Sequence, residues 1–219
     1  MTLSFLISLV YSGEEGIFAK IYDKKIVNFS VSGNSYQYVN GTKRLTKPEY
    51  AIYPFDKLYD WCSNCPLNYD DHPFITFYVE NHEFKFNGYL IRAGCCDEGC
   101  CCDDTYYGCA YCCLYSWSIQ ISNDNQTWTT VHSIAKDAKM RDCKEATFQF
   151  EKYYVAKYVR LIQDERCPGY PPCLAINRID FFGTALSSGV EEEFVSYHDD
   201  DEDVSIIGHI SKNGNARFN

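Results

Sequence analysis

Apolar residues in this chain recur mainly at every second position, the period of a strand with one buried face. In residues 116–122, SWSIQIS, Trp117, Ile119 and Ile121 alternate with Ser118 and Gln120. Residues 127–134 are rich in β-branched and aromatic side chains, and Asn123, Asp124, Asn125 and Gln126 between the two runs have turn chemistry, which predicts a hairpin. Residues 158–162 and 176–182 are apolar runs separated by Pro168, Gly169, Pro171 and Pro172, and Gly183 is expected to stop the second. Upstream, FITFYV at 74–79 and FNGYLIRA at 86–93 have strand length and composition, with Asn81, His82 and Glu83 between them. Residues 17–21 and 26–31 predict a further hairpin across Asp23, Lys24 and Lys25. No run sustains an apolar period of 3.6, so the chain is all-β, and many short strands with turn signals predict a sandwich or jelly roll. Trp117 and Trp128, large aromatics within strands, are expected in the core, and Arg160 is expected to act as a structural hydrogen-bond donor.

Trp117, then Ser122, Asn123 and Asp124, then Trp128, then Tyr158, Val159, Arg160 and Leu161, then Ile179, Phe182 and Gly183 follow one another in a recognisable order across residues 114–184. This order resembles the C-terminal half of the discoidin, or coagulation factor 5/8 type C, domain. The resemblance implies a galactose-binding-like jelly-roll β-sandwich over residues 49–184, with residues 13–48 as N-terminal strands leading into it. It also implies a binding module, since members mostly recognise glycans, phospholipid surfaces or other proteins. The connection at residues 95–113 corresponds to one of the family's ligand-bearing loops, although the family pattern lacks the cysteines found here.

Eight of the chain's 13 cysteines fall within that connection, CCDEGCCCDDTYYGCAYCC. Two chemistries are open. In an oxidising compartment, short disulfides would staple a loop that has no core of its own. In a reducing one, Cys62 and Cys65 with Cys109 and Cys112 have the spacing of a tetrahedral zinc site. Cys167 and Cys173 flank Pro-Gly-Tyr-Pro-Pro, where a local bridge would close a reversing turn; the alternative is that one of them pairs with Cys143. Asp97, Glu98, Asp103 and Asp104 offer oxygen ligands for calcium without the spacing of an EF-hand loop.

At 219 residues the chain holds one core of ordinary size. Its net charge of -10 opposes binding to nucleic-acid phosphates. Residues 1–12, MTLSFLISLVYS, have the short apolar stretch and small terminal residue of a secretory signal peptide, which agrees with the cysteine content and predicts a secreted or surface protein. No stretch is long enough for a membrane span. Residues 185–219 form an acidic tail whose composition predicts disorder. Within the tail, the acidic run 199–203 followed by Val204, Ser205, Ile206 and Ile207 resembles a SUMO-interaction motif, which supports an intracellular, cytoplasmic alternative with bound zinc and a partner-docking tail. The sequons at Asn28, Asn40 and Asn125 are glycosylation candidates.

Flat aromatics beside carboxylates and amides are the elements of a sugar site. They occur as Tyr106, Tyr107 and Tyr111 with Asp103 and Asp104, and as Trp61, Tyr69, Asp71 and His72 before the strand at 74. Nucleophile-elbow, HExxH and phosphate-loop motifs are missing, so the expected function is recognition of a glycan or glycoprotein rather than catalysis, with no cofactor required.

Overall fold

The computed structural model describes residues 16–66, 68, 70–96, 101–102, 114–187, 209–210 and 216–217. The chain divides into two compact units, Met1–Gly189 and Val190–Asn219. In the second unit the described strands pair antiparallel, His209 opposite Arg217 and Ile210 opposite Ala216. The signal-peptide segment, the acidic run and the motif at 204–207 lie outside the described residues.

The first unit opens with helix α1 (Ile17–Ile21), where the sequence had predicted a strand. Five residues are too few for apolar spacing to separate the two forms. Ile17, Phe18 and Ile21 are all buried, which one helical turn permits. The Asp180 carboxylate fixes the helix by accepting the N–H groups of Phe18 at 2.8 Å and Ala19 at 3.0 Å. The strands that follow are β1 (Val27–Val31), β2 (Tyr36–Val39), β3 (Thr42–Leu45), β4 (Trp61–Cys62), β5 (Phe74–Val79), β6 (His82–Ala93) and β7 (Cys101–Cys102). After these come β8 (Ser116–Ser122), β9 (Thr129–Ile134), β10 (Glu145–Ala156), β11 (Tyr158–Glu165) and β12 (Ala175–Ser187). The pair in the second unit is β13 (His209–Ile210) and β14 (Ala216–Arg217).

Strands β1-β5-β11-β8-β9 form one antiparallel sheet and β10-β6-β12-β4 another, in the non-sequential order of a jelly roll, while β3-β2-β7 make a small third sheet. The core lies between the two main sheets. Ile75, Phe77, Trp117, Ile119, Val159 and Leu161 from the first meet Phe84, Phe86, Tyr89, Ile91, Ile179 and Phe181 from the second. Phe18 of α1 adds to this layer, its ring centroid 4.9 Å from Phe77 and 5.6 Å from Phe181.

Gly183 does not end β12. It has φ +152°, and a Cβ there would lie 2.0 Å from the Lys85 carbonyl oxygen, so glycine admits a bulge between Phe181 and Gly183 and the strand continues to Ser187.

The Ser122-Asn123-Asp124 turn is held by its own side chains. Asp124 Oδ1 accepts the N–H groups of Thr127 at 2.7 Å and Gln126 at 2.8 Å and the hydroxyl of Ser122 at 2.9 Å. These bonds, that of Thr127 foremost, keep the Asp124 carboxyl well below its usual range. Trp128, expected in the core, is half-buried. The guanidinium of Arg160 stacks 3.9 Å from its ring centroid while Arg160 Nε donates to Gln120 Oε1 at 3.0 Å.

Trp117 is fully buried and begins a polar chain through the core. Its Nε1 donates to the Tyr89 hydroxyl at 3.1 Å, and that hydroxyl in turn meets His132 Nδ1 at 2.9 Å. With the tyrosine oxygen accepting from tryptophan, its proton goes to a neutral imidazole. Burial pushes the Tyr89 hydroxyl above its ordinary range and His132 below its own.

Two outcomes are expected from this core. Trp117→Ala lowers the unfolding free energy by about 3–5 kcal/mol and Trp128→Ala by clearly less, measured by chemical denaturation; equal costs would contradict the placement of the two rings. Because the folded pKa of His132 is depressed, its contribution is full above the ordinary imidazole pKa of about 6.5 and is lost as pH falls through that value. Between about pH 7 and about pH 5 the wild type should therefore lose more stability than His132→Gln, and identical pH profiles would contradict the neutral-imidazole assignment.

Candidate functional site

In the antiparallel order β5-β11-β8-β9, the starts of β5 and β8 lie beside the ends of β11 and β9. The register pairs Phe74 with Ile162, Gln163 with Trp117, and Trp117 with Ile134. The segments just beyond these pairs therefore converge at one end of the sandwich. They enclose a cleft of about 540 Å³ lined by Asp70, Asp71, His72, Tyr115, Lys136, Gln163, Asp164, Glu165, Arg166, Pro168 and Pro172.

Two disulfides brace this end. Cys65–Cys173 joins the β4–β5 connection to the β11–β12 connection, both of which contribute to the cleft, with Cα atoms 4.8 Å apart. Cys96–Cys143 ties the root of the cysteine-rich loop to the segment before β10, with Cα atoms 4.5 Å apart. The local Cys167–Cys173 bridge and the pairing of either with Cys143 are therefore not formed, because Cys173 and Cys143 have distant partners; Cys167 is disulfide-bonded as well. Cys62 and Cys65 are both in disulfides, so this half of the proposed zinc set holds no thiolate for a metal. Its other half, Cys109 and Cys112, lies outside the described residues, as do Asp97, Glu98, Asp103 and Asp104 of the proposed calcium set.

Beneath the disulfides is a fully buried carboxylate, Asp60. Its Oδ2 accepts the N–H of Cys95 at 2.7 Å and Gln37 Nε2 at 3.0 Å, and its Oδ1 accepts Asn177 Nδ2 at 3.0 Å. The Asp60 N–H donates to Gln37 Oε1 at 2.7 Å. Burial raises the Asp60 carboxyl, and the bonds from Asn177 and Cys95 oppose that rise. Nearby, Lys57 Nζ donates to the Asn177 carbonyl, and burial lowers the Lys57 amine to about 8. Gly94 gives this cluster room, since a Cβ there would meet Ala175 Cβ at 2.6 Å and Asp60 Oδ2 at 2.8 Å.

The cleft side chains are positioned by backbone bonds. The Gln163 N–H donates to the Pro73 carbonyl at 2.9 Å, and His72 Nδ1 lies 2.8 Å from the Gln163 carbonyl. A carbonyl only accepts, so Nδ1 carries a proton, and in the neutral ring Nε2 is an acceptor. The Asp137 N–H donates to the Tyr115 carbonyl at 2.7 Å, which fixes the backbone beneath the half-buried Tyr115 ring. Ser118 Oγ donates to Asp164 Oδ2 at 2.6 Å, and Arg166 Nη1 donates to the Tyr170 carbonyl at 2.7 Å. Asn68 orders the acidic turn: its side-chain amide donates to Asp71 Oδ1 at 3.3 Å and its Oδ1 accepts the Asp70 N–H at 3.2 Å.

Of the residues chosen from the sequence, the structure brings Asp71 and His72 into the cleft. Trp61 is instead fully buried, paired in β4 with Ile176, its Nε1 donating to Asn34 Oδ1 at 2.8 Å, and it has no face left for a ligand. Tyr69, Asp103, Asp104, Tyr106, Tyr107 and Tyr111 lie outside the described residues. Tyr115, Lys136, Gln163, Asp164, Glu165 and Arg166 were missed. The available signal was the charged triplet Asp164-Glu165-Arg166, standing between an apolar strand and a proline-rich turn. Among the sequons, Asn40 and Asn125 sit in exposed turns at positive φ, whereas Asn28 is half-buried in β1 opposite Tyr78.

No family model matches the chain, and no curated protein matches it. Solved structures do resemble it. A family 32 carbohydrate-binding module from Clostridium perfringens, in complex with GalNAc-β-1,3-galactose, aligns with a TM-score of 0.50 at 12% identity, covering 72% of this chain and 95% of that one. The family 32 module of C. perfringens NanJ, in complex with galactose, gives 0.46 at 11% identity, covering 71% and 92%. A chitosan-binding module of a chitosanase/glucanase from Paenibacillus sp. IK-5 gives 0.47 at 17% identity, covering 72% and 96%.

Asp60→Ala removes the acceptor shared by Gln37, Asn177 and the Cys95 N–H and is expected to cost about 3 kcal/mol or more by urea denaturation; a cost below about 1 kcal/mol would show that the cluster does not anchor this end. The strand order, the shared core and the first of these alignments agree on one architecture: the chain is a discoidin-like, galactose-binding-like jelly-roll β-sandwich, the fold of family 32 carbohydrate-binding modules.

Proposed function

We propose that the first unit is a non-catalytic carbohydrate-binding module that holds a glycan, free or on a glycoprotein, in the cleft of Tyr115 and His72, and serves recognition or adhesion outside the cell. The observation that carries this reading is the cleft itself. A half-buried tyrosine ring stands among hydroxyl-matching groups at the strand ends of a braced scaffold. Its volume, about 540 Å³, suits a ligand of one to a few sugar rings. A ring face covers the apolar side of a pyranose, while the His72 Nε2 lone pair and the carboxylates accept from its hydroxyls. The rim is fixed before any ligand arrives, so little ordering entropy is lost on binding.

An extracellular setting is supported by the disulfides at this end, which persist in oxidising compartments. The net charge of -10 disfavours nucleic acid as the partner. Among the described residues no helix is long and apolar enough to cross a membrane.

A panel of soluble oligosaccharides assayed by calorimetry tests the reading. At least one should bind the wild type, and Tyr115→Ala or His72→Ala should weaken it roughly tenfold or more, with melting temperatures within a few degrees of the parent. Binding that neither substitution alters would place the ligand elsewhere.

A further inference from the structure

On the second sheet, away from the cleft, one cation is left without an answering group. Glu145 of β10, Arg92 of β6 and Arg178 of β12 stand in one cross-strand row, with Arg178 directly opposite Arg92. Like charges so placed repel. Arg92 is neutralised, its Nη1 meeting Asp56 Oδ1 at 2.7 Å and its Nε donating to Glu145 Oε2 at 2.9 Å. Arg178 makes no hydrogen bond or ion pair among the described residues, and its Nε is covered without an acceptor. The nearby Asp180 carboxylate is already engaged by the N–H groups of Phe18 and Ala19. A half-buried guanidinium in that state is destabilising. The contact of Asp56 with Arg92, and that of the Lys57 amine with the Asn177 carbonyl, hold residues 55–58 against β6 and β12. Phe55 is nevertheless 67% exposed and Leu58 51%. The Phe55 ring is oriented by an edge contact with Tyr53, centroids 5.6 Å apart.

We propose that this face docks a protein partner through an extended segment in which a carboxylate stands next to an apolar side chain, the carboxylate on Arg178 and the apolar group on Phe55 and Leu58. None of these residues lines the cleft, so the docking does not rest on the glycan reading. A guanidinium takes a carboxylate through two parallel N–H bonds, which gives the bound segment a fixed direction. The same carboxylate supplies the counter-charge that Arg178 lacks opposite Arg92. An arginine beside an exposed aromatic ring of set orientation is the combination on which binding energy concentrates at protein interfaces. A free inorganic anion would use Arg178 and leave Phe55 and Leu58 in water. An anionic membrane could meet all three, but the net charge of -10 opposes approach to an extended polyanionic surface, whereas a short segment meets only the local cations.

Fluorescence anisotropy of the full chain with short synthetic peptides tests the docking. One set pairs Asp or Glu with Leu or Phe, a second replaces each acid by its amide, and a third replaces each apolar residue by Ser. The first set should contain binders roughly tenfold or more tighter than either counterpart, and their binding should weaken as salt rises. Arg178→Gln and Phe55→Ser should each weaken these binders by a similar factor, and Arg178→Lys should recover only part of what Arg178→Gln loses, as a planar fork requires. Since its charge has no ion-pair partner among the described residues, Arg178→Gln should leave the melting temperature of the peptide-free protein unchanged or raise it. A clear fall would make the guanidinium structural and overturn the proposal. It would be overturned equally by the absence of any acidic binder, by acid and amide forms binding alike, or by binding that Arg178→Gln does not alter. Full competition by inorganic phosphate, with Phe55→Ser without effect, would replace docking by a plain anion site. Vesicles of phosphatidylserine and phosphatidylcholine that bind the wild type but not Phe55→Ser, with no peptide bound, would assign the face to lipid instead.

Discussion

The carboxylate of Asp60 is the point at which separate parts of this chain are tied together. It accepts from Gln37 of β2, from the backbone at the root of the cysteine-rich loop, and from Asn177 of β12. A carboxylate taken out of water is tolerated only when its lone pairs are satisfied, so these donors must arrive together or not at all. That requirement fixes where the small third sheet meets the sandwich and where the loop departs. The disulfides then act on ends already in place. Cys65–Cys173 and Cys96–Cys143 link connections distant in sequence, and the cleft lies at the end they brace.

This division of labour explains how a polar, open cleft persists at the edge of a close-packed domain. The sandwich is held by aromatic and aliphatic side chains between its sheets and by the Trp117–Tyr89–His132 chain. The residues that line the cleft lie outside that core, so their side chains are free to be chosen for ligand chemistry. The opposite end, with the Asp124 turn and the Arg160–Trp128 stack, is stabilised by local hydrogen bonds and ring contacts instead.

Much of the scaffold was legible in the sequence because its signals are local. Alternation at 116–122 and the apolar run at 74–79 became strands with those bounds. The motif residues that carry the discoidin resemblance, Ser122, Asp124, Trp128 and Arg160 among them, build a turn and a stack, which is why they report fold rather than ligand. Where the reading failed, the deciding interaction was distant in sequence. Asp180 holds residues 17–21 as a helix, β6 accommodates the Gly183 bulge, and β12 buries Trp61. The cleft was legible only at Asp71 and His72, because its remaining members are brought together by strand register across nearly a hundred residues. Disulfide partners were equally hidden, since pairing depends on that same register.

The central claim is that the disulfide-braced end of the sandwich holds a glycan. Amide chemical shifts followed during titration with a soluble oligosaccharide that binds test it most directly. The account predicts that the largest changes fall on residues 70–72, Tyr115, Lys136 and residues 163–168, with residues 122–127 at the opposite end unmoved. Changes centred on the 122–127 turn, with the cleft residues unchanged, would contradict it.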